Sequence, residues 1–491
     1  MEKEYRQLFV GGDLSGIQKY LYNITSKNAA VSLKGRSFYL RQYMDKICSD
    51  IRKAALAAGA SEARDIYCSG GKFYLLTSNV PDVVQAINDV AEKTKQQLWN
   101  EHMGQLGINI AYVAYDENAD GTINCEGGKN LKPGCFWKIV NSEFGKQKAQ
   151  KFKNVLIDNY KGFFEPINVG KDSKVCALTG IESSSCVAIK EADTDEETYV
   201  LPSVYQQIQL GRELRGVESF RTFEDYAGNT YLGILRMDVD GLGKRLIEGF
   251  DSIQQYEAFS KRLTEFFEEE ISNLQKEEDY RKYLNIVYAG GDDLFIVGNW
   301  NKVINFAEHI QKEMRKRFEK DGISISGGVA IVNPKFPIAK AAELAGEAEE
   351  AAKHYNNGEK NAFHFLGKTV SWNKEFDYVK SYKQQFVSLI NNYGLSRSIL
   401  HKLMLYSSIA DHNKILRREG KQENFSYVWH LSYFLTRYRE RYKDNNVVRS
   451  FCNELKDKEL VDFKSGRKLE LIALAARWAE LELREEKNTN N

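Results

Sequence analysis

Four aspartates in two clusters are the residues of this chain whose type and spacing could carry out a reaction: Asp238 and Asp240 in MDVDGLGK, and Asp292 and Asp293 in YAGGDDLFIVG. Close carboxylates repel unless they take up protons or hold cations. All-oxygen ligands suit magnesium or manganese, which keep further positions for water and phosphate. Two such ions roughly 3.5–4 Å apart would flank an in-line phosphoryl displacement, one activating the attacking hydroxyl and the other the leaving pyrophosphate.

The elements that must position these carboxylates are legible nearby. The apolar run Leu232 to Met237 reads as a buried strand ending in Asp238. Asn285 to Tyr288 and Leu294 to Val297 read as two more strands, joined by a turn of Gly290, Gly291, Asp292 and Asp293. The two glycines leave bare backbone for a ligand to lie against. With this hairpin beside the strand ending in Asp238, three carboxylates converge, and Asp238, Asp292 and Asp293 are the expected metal ligands and catalytic residues. Asp240 is a further candidate on the substrate side, or a cap for the helix that follows. Gly and Asp also favour turns for conformational reasons alone. What lifts GGDD above an ordinary turn is its spacing from DVDG, the apolar strands around it and two lysines downstream. Lys353 follows an alanine-rich helix over 341–352, and Lys360 follows the loop HYNNGE and opens an edge strand that ends at Phe365. Two lysines bracketing a helix end and a turn could grip a triphosphate as point charges.

The chain repeats this plan. In LFVGGDLSGIQKYLY, Asp13, Gly16, Lys19 and Leu21 match Asp238, Gly241, Lys244 and Leu246 at a constant offset of 225 positions. Both halves then run helix, hairpin, helix, strand, which is a ferredoxin-like βαββαβ order. At the chemistry the halves differ: Lys72 and Phe73 stand where the second half has Asp292 and Asp293, and Ser15 stands for Asp240. A lysine cannot hold magnesium, so the first half reads as catalytically silent, its Asp13 structural, with room for a second nucleotide to dock against it.

Composition sets outer bounds. The chain has 491 residues, 42% apolar and 28% charged, enough for three or four domains. A net charge of +1 gives no global pull toward nucleic acid or membrane, so any nucleic-acid contact must be a local patch. No apolar run approaches the ~18 residues of a membrane span, and the charged start MEKEYRQLF is not a signal peptide, which predicts a cytoplasmic protein. The seven cysteines do not form a disulfide framework. Cys125, Cys135, Cys176 and Cys186 pair only as C-x9-C, without the short knuckle of zinc sites.

Four domains are expected. They are a degenerate palm over 1–115, a linker domain over 116–230, a catalytic palm over 231–368 and an all-helical domain over 369–491. In the first, Arg36 and Ser37 of SLKGRSFYL are either a helix cap with a solvated arginine or contacts to a phosphate or base. In the linker domain, 116–132 reads as a loop or boundary, Trp137 to Phe164 as a basic helical stretch with a solvated face, and Glu191 to Glu197 as an acidic loop. The C-terminal region shows helical periodicity in four stretches and no strands after Val370. Its Arg437, Tyr438, Arg439 and Arg441 suit a solvated face or an RNA or protein surface, and the isolated His401, His412 and His430 carry no metal or catalytic role.

The ordered set GDLSGIQKYLY, SLKGRSFYL, MDVDGLGK, AGGDDLFIVG and a K-x6-K-N ending resembles, over nearly the whole chain, the large polymerase-like subunit of type III CRISPR effector complexes, the A-subtype form in particular. The resemblance implies two palms of the GGDEF-cyclase kind, one active and one degenerate, facing each other across a composite pocket. It implies that the active palm makes cyclic oligoadenylates from ATP when the complex binds target RNA. It also implies partners: the other subunits of the ribonucleoprotein, a guide RNA and a target RNA. Asp238, Asp292 and Asp293 then take the metal positions, Gly290 and Gly291 the turn against the nucleotide, and Lys353 and Lys360 the triphosphate, the last two more loosely through similarity to diguanylate cyclases. Two departures stand out. Family members usually begin with an HD nuclease domain, whereas this sequence starts at the first palm and has no His-Asp dipeptide, so single-stranded DNA cleavage is not expected. The family's linker zinc site is degraded, with Cys176-Ala-Leu-Thr179 in place of C-x2-C.

The expected activity is nucleotidyl transfer, in which the 3′-hydroxyl of one bound ATP attacks the α-phosphate of another, aided by two Mg2+ or Mn2+ ions on Asp238, Asp292 and Asp293. The alternatives are an enzyme that joins AMP to another acceptor or uses GTP, and a non-catalytic scaffold for RNA and partner subunits. Intact, mutually repelling carboxylates argue against the scaffold.

Overall fold

In the computed structural model the described residues are 5–24, 29–102, 104–158, 160–165, 170, 172–190, 197–214, 222–228, 230–459 and 466–489. The predicted acidic loop at 191–197 lies outside them except for its last residue. They form two compact units, Met1–Ile325 with Ala330–Glu347, and Ser326–Val329 with Ala348–Asn491. The fold is mixed α and β, and no helix among the described residues is long and apolar enough to cross a membrane.

The first unit opens with strand β1 (Gln7–Ser15), helix α1 (Ala29–Ala57), the hairpin β2 (Ala63–Ser69) and β3 (Lys72–Ser78), helix α2 (Pro81–His102) and β4 (Gly107–Glu117). Two short strands, β5 (Ile123–Cys125) and β6 (Gly128–Leu131), extend the sheet to the order β2-β3-β1-β4-β5-β6, so the polar stretch 116–132 is a hairpin rather than a plain loop. β1 is apolar on both faces because both are covered. Leu8 and Val10 face the main core, while Phe9 stacks on Phe136 at 4.7 Å and meets Trp137 edge-on at 5.1 Å. Those two residues lie on helix α3 (Cys135–Ala149), whose buried Phe136, Trp137, Val140 and Phe144 dock it on the sheet. The basic stretch is thus amphipathic, with an aromatic face driving it home.

Helix α4 (Pro202–Glu213) crosses α1 at a glycine on each side. A Cβ on Gly35 would sit 1.7 Å from the Gln207 carbonyl oxygen, and one on Gly211 2.3 Å from that of Val31. Only glycine allows this approach.

The second repeat follows as β7 (Leu232–Asp240), α5 (Ile253–Glu265), the hairpin β8 (Leu284–Gly290) and β9 (Asp293–Asn299), α6 (Trp300–Phe318) and β10 (Ser324–Val332). Its strands run β8-β9-β7-β10, the order of β2-β3-β1-β4 over again. Even the irregularities recur: the hairpins slip register between Asp65 and Tyr67 and between Ile286 and Tyr288, 221 positions apart. One apolar core joins the repeats, with Met44, Ile47 and Ile51 of α1 buried together with Leu75, Ile108, Ile234, Phe295 and Val297. Each such side chain contributes about 1.5–3 kcal/mol on burial.

Helix α7 (Ile338–Lys353) leads into the second unit, where Gly327 and Gly328 of β10 pair in parallel with Phe363 and His364 of β11 (Ala362–Phe365). The expected edge strand is an interior one. A tight turn at Leu366 and Gly367, both with positive φ (50° and 80°), brings β12 (Lys368–Ser371) back along it as the true edge. Five helices complete the unit: α8 (Asp377–Tyr393), α9 (Ser398–Arg418), α10 (Ser426–Arg441), α11 (Asn446–Glu454) and α12 (Arg467–Thr489). The short α11 lies between two of the predicted helical stretches.

Candidate active site

β7 is the middle strand of its sheet, buried from Leu232 to Leu235, and it delivers Asp238 to the end of the ladder. There Asp238 pairs directly with Asp293, the first residue of β9. Val239 N–H donates to the Asp292 carbonyl at 2.9 Å, which fixes the turn against the strand end. The turn has two residues, Gly291 and Asp292, and Gly291 takes φ 73°, a conformation that strongly favours glycine. Tyr288 O–H donates to Asp293 Oδ2 at 2.9 Å. The carboxyl group of Asp293 is pushed up to about 7, first by burial and then by the charges of Asp292 and Asp238, against the Tyr288 hydrogen bond and Arg236. Three carboxylates therefore share one strand end and feel one another.

A cavity of about 410 Å³ opens at this point, lined by both hairpins: Ser69, Gly71 and Lys72 from the first repeat, Gly290, Asp292 and Asp293 from the second. Tyr67 and Tyr288, equivalent residues of the two repeats, flank the turn. Burial and the nearby carboxylates, Asp292 for Tyr67 and Asp293 for Tyr288, hold both phenols far above their ordinary range, so they remain neutral donors.

The ladder corrects the residue matching between the repeats. Asp13 pairs with Lys72 as Asp238 pairs with Asp293, and Leu14 N–H donates to Gly71 O as Val239 N–H donates to Asp292 O. Lys72 therefore replaces Asp293 rather than Asp292, and Gly71 replaces Asp292. Asp13 itself is buried, ion-paired to Lys148 at 2.8 Å and bonded to Asn109.

Of the other predicted residues, Ser37 and Gly290 line the cavity and Gly291 lies in the turn beside it, but Arg36 is neither at the cavity nor solvated. It is 1% exposed, and its guanidinium donates to Gln207 Oε1 at 3.1 Å and to the carbonyls of Tyr20 and Asn23 at 2.8 and 3.0 Å. The motif glycine before it admits α4, and the arginine ties α4 to α1. Asp240 is not a cap: the helix after it starts from Gly241, and buried Asp240 accepts from Ser324 Oγ at 2.8 Å. Lys353 and Lys360 belong to the second unit, where Lys353 pairs with Glu349 at 2.7 Å and Lys360 has φ 59°. The sulfurs of Cys125 and Cys135 are 3.9 Å apart, while Cys176 is buried in a separate apolar cluster with Cys186 packed against it. Sequence reasoning passed over Ser69, Glu268 and Tyr67, whose places come only from the meeting of two distant hairpins with each other and with the helical turn Phe266–Glu270.

Carboxylates crowded enough to raise one of them to about 7 fit a divalent cation, which would remove the repulsion. Among the described residues no group of three or more His, Cys, Asp or Glu side chains is arranged to hold an ion by itself. Phosphate and water would complete the coordination, as magnesium prefers.

Comparison with known proteins gives this geometry a family context. Residues 231–364 match the Cas10/Cmr2 second palm domain and residues 6–167 match Csm1 subunit domain B. The chain's homologues are Cas10/Csm1 proteins. The Cas10/Csm1 single-strand-specific deoxyribonuclease of subtype III-A from Enterococcus italicus is 27% identical over 81% of this chain, and that from Methanocaldococcus jannaschii 26% identical over 75%. This chain spans 59% and 60% of those relatives' lengths. Solved Csm1–Csm4 cassettes share the fold: the complex with cA3 has a TM-score of 0.65 at 17% identity, covering 96% of this chain and 70% of that one. The complex with one ATP has 0.60 at 20%, with the same coverage.

Proposed function

We propose that this chain is the large subunit of a type III CRISPR effector and a nucleotidyltransferase that makes cyclic oligoadenylates from ATP when target RNA binds. The observation that carries this is the facing pair Asp238 and Asp293, with Asp292 at the adjoining turn, over a cavity shared with the opposite hairpin. The matching strand orders support a reading of both repeats as ferredoxin-like palms, the second catalytic and the first degenerate.

Each residue has a definite part. Asp238, Asp292 and Asp293 hold Mg2+ or Mn2+, which when bound neutralises phosphate charge and activates a hydroxyl. Tyr288 orients Asp293 through its hydrogen bond. Gly290 and Gly291 let a nucleotide approach the backbone, and Ser37 and Lys72 face it from the first repeat. The chemistry asked of the protein is positioning and charge neutralisation rather than covalent catalysis. Lys353 and Lys360 remain triphosphate candidates on the second unit. The partners of this reading are the other effector subunits, such as the Csm4 found with Csm1 in the related cassettes, together with guide and target RNA, in the cytoplasm.

Mass spectrometry of products from ATP and Mg2+ or Mn2+, with the chain in its RNA-loaded complex, tests the reading against Asp292→Ala with Asp293→Ala. Cyclic oligoadenylates that vanish in the variant support it. An AMP adduct of another acceptor keeps nucleotidyl transfer but replaces the product, and no product at all defeats it.

A further inference from the structure

The two hairpin turns abut glycine to glycine. A Cβ on Gly70 would lie 2.7 Å from Cα of Gly291, and one on Gly291 2.9 Å from Cα of Gly70. In the ladder matching Gly70 and Gly291 are equivalent residues, so each repeat presents the same position to the other. The hydrogen bonds at this contact break that symmetry. Gly291 N–H donates to Ser69 Oγ at 3.1 Å, and Ser69 O–H donates to Glu268 Oε1 at 2.7 Å. Arg41 of α1 pairs with the other oxygen of Glu268. The residue equivalent to Ser69 in the second repeat is Gly290, which has no hydroxyl to hold Gly70 in return. A chain of contacts thus runs one way, from α1 through Glu268 and Ser69 to the backbone immediately before Asp292.

We propose that Ser69 is a positioning residue for the Asp292–Asp293 turn: the half without the carboxylates sets the geometry of the half that has them. The inference rests on the reading of those aspartates as the reaction centre. Gly291 is the turn's freest residue, and its amide is the point at which the turn can be fixed from outside. The Ser69 hydroxyl is itself held by a carboxylate acceptor, so it offers its lone pair to Gly291 in one direction. Ser69 is 7% exposed, and Ser69 and Glu268 both border the cavity, so an occupant would press on the same network that fixes the turn. Displacing catalytic groups by about 1 Å costs up to ~10²-fold in rate, so one hydrogen bond at this place has leverage.

The test uses the RNA-loaded complex with the full chain carrying Ser69→Ala or Ser69→Thr. Two quantities are read: hydrogen exchange of the peptide over 286–295, and the kinetics of product formation. Ser69→Ala is expected to speed exchange at Gly291 and to lower kcat by about 10-fold while KM for ATP stays within about twofold, and Ser69→Thr is expected to restore both. Unchanged exchange in Ser69→Ala overturns the proposal. So does a fall in melting temperature with kcat intact, because that marks ordinary packing between the hairpins. If wild type makes no product, the nucleotidyl-transfer reading fails while exchange still decides the Ser69 contact.

Discussion

Lys72 holds, in the first repeat, the ladder position that Asp293 holds in the second, each facing the aspartate at which the hairpin's ladder to the central strand ends. On the proposed reading, in which the first repeat is silent, that silence has more than one cause: an ammonium replaces one carboxylate, Gly71 replaces another, and Lys148 already neutralises the third. Lys72→Asp should leave the Mn2+ stoichiometry of the complex at its wild-type value, as read by electron paramagnetic resonance. A gained ion would show that the charge at Lys72 alone silenced the repeat.

Asp293→Asn keeps the shape of the side chain and removes its charge. Product formation should fall by at least about 10²-fold, and the stabilisation of the protein by ATP with Mn2+ in a thermal melt should disappear with it. Tyr288→Phe removes only the hydrogen bond that orients Asp293, and should lower kcat by about 3–10-fold with KM for ATP little changed.

Arg36→Met tests the reassignment of that residue to structure. Losing the guanidinium leaves Gln207 Oε1 and the buried Tyr20 carbonyl without their donor and frees the part-buried Asn23 carbonyl, so unfolding stability should drop by about 3 kcal/mol in a urea titration. Nucleotide affinity per folded molecule should be unchanged, and a selective loss of ATP binding would restore Arg36 to the site.

His102 makes the first unit acid-sensitive. It is buried, its Nε2 is 3.2 Å from the Tyr39 hydroxyl, and burial together with the Arg36 charge lowers it to about 4, with the Glu101 carboxylate 3.9 Å away failing to compensate. The folded state binds this proton less readily than the unfolded chain, so the contribution is complete above pH ~6.5 and is lost as the pH falls toward 4. The loss amounts to up to about 3 kcal/mol. Urea midpoints at pH 7.5 and 4.5 should differ less in His102→Gln than in wild type.

How much was legible follows from the range of each interaction. The hairpin around Gly290–Asp293 and the strand ending in Asp238 were visible because turn chemistry and apolar runs are local. The internal repeat was visible because equal elements carry equal patterns. β5 and β6 were hidden in a polar stretch, since short strands appended to a sheet need no apolar signature of their own. β12 was hidden because, in Lys368-Thr-Val-Ser371, only Val370 is apolar, whereas the equally short β11 carries Ala362, Phe363 and Phe365.

What the sequence by itself determined is the inventory: two copies of one βαββαβ pattern, carboxylates in one copy and a lysine in the other, and a helical C-terminal region. Tertiary structure alone decided the pairing of that inventory. Burial against α4 turned Arg36 from a candidate ligand into a brace, and the ladder register set Lys72 opposite Asp13. The meeting of Gly70 with Gly291 brought Ser69 to a turn 222 positions away. Such contacts depend on which surfaces two hairpins present to each other, and no local pattern of residues encodes that.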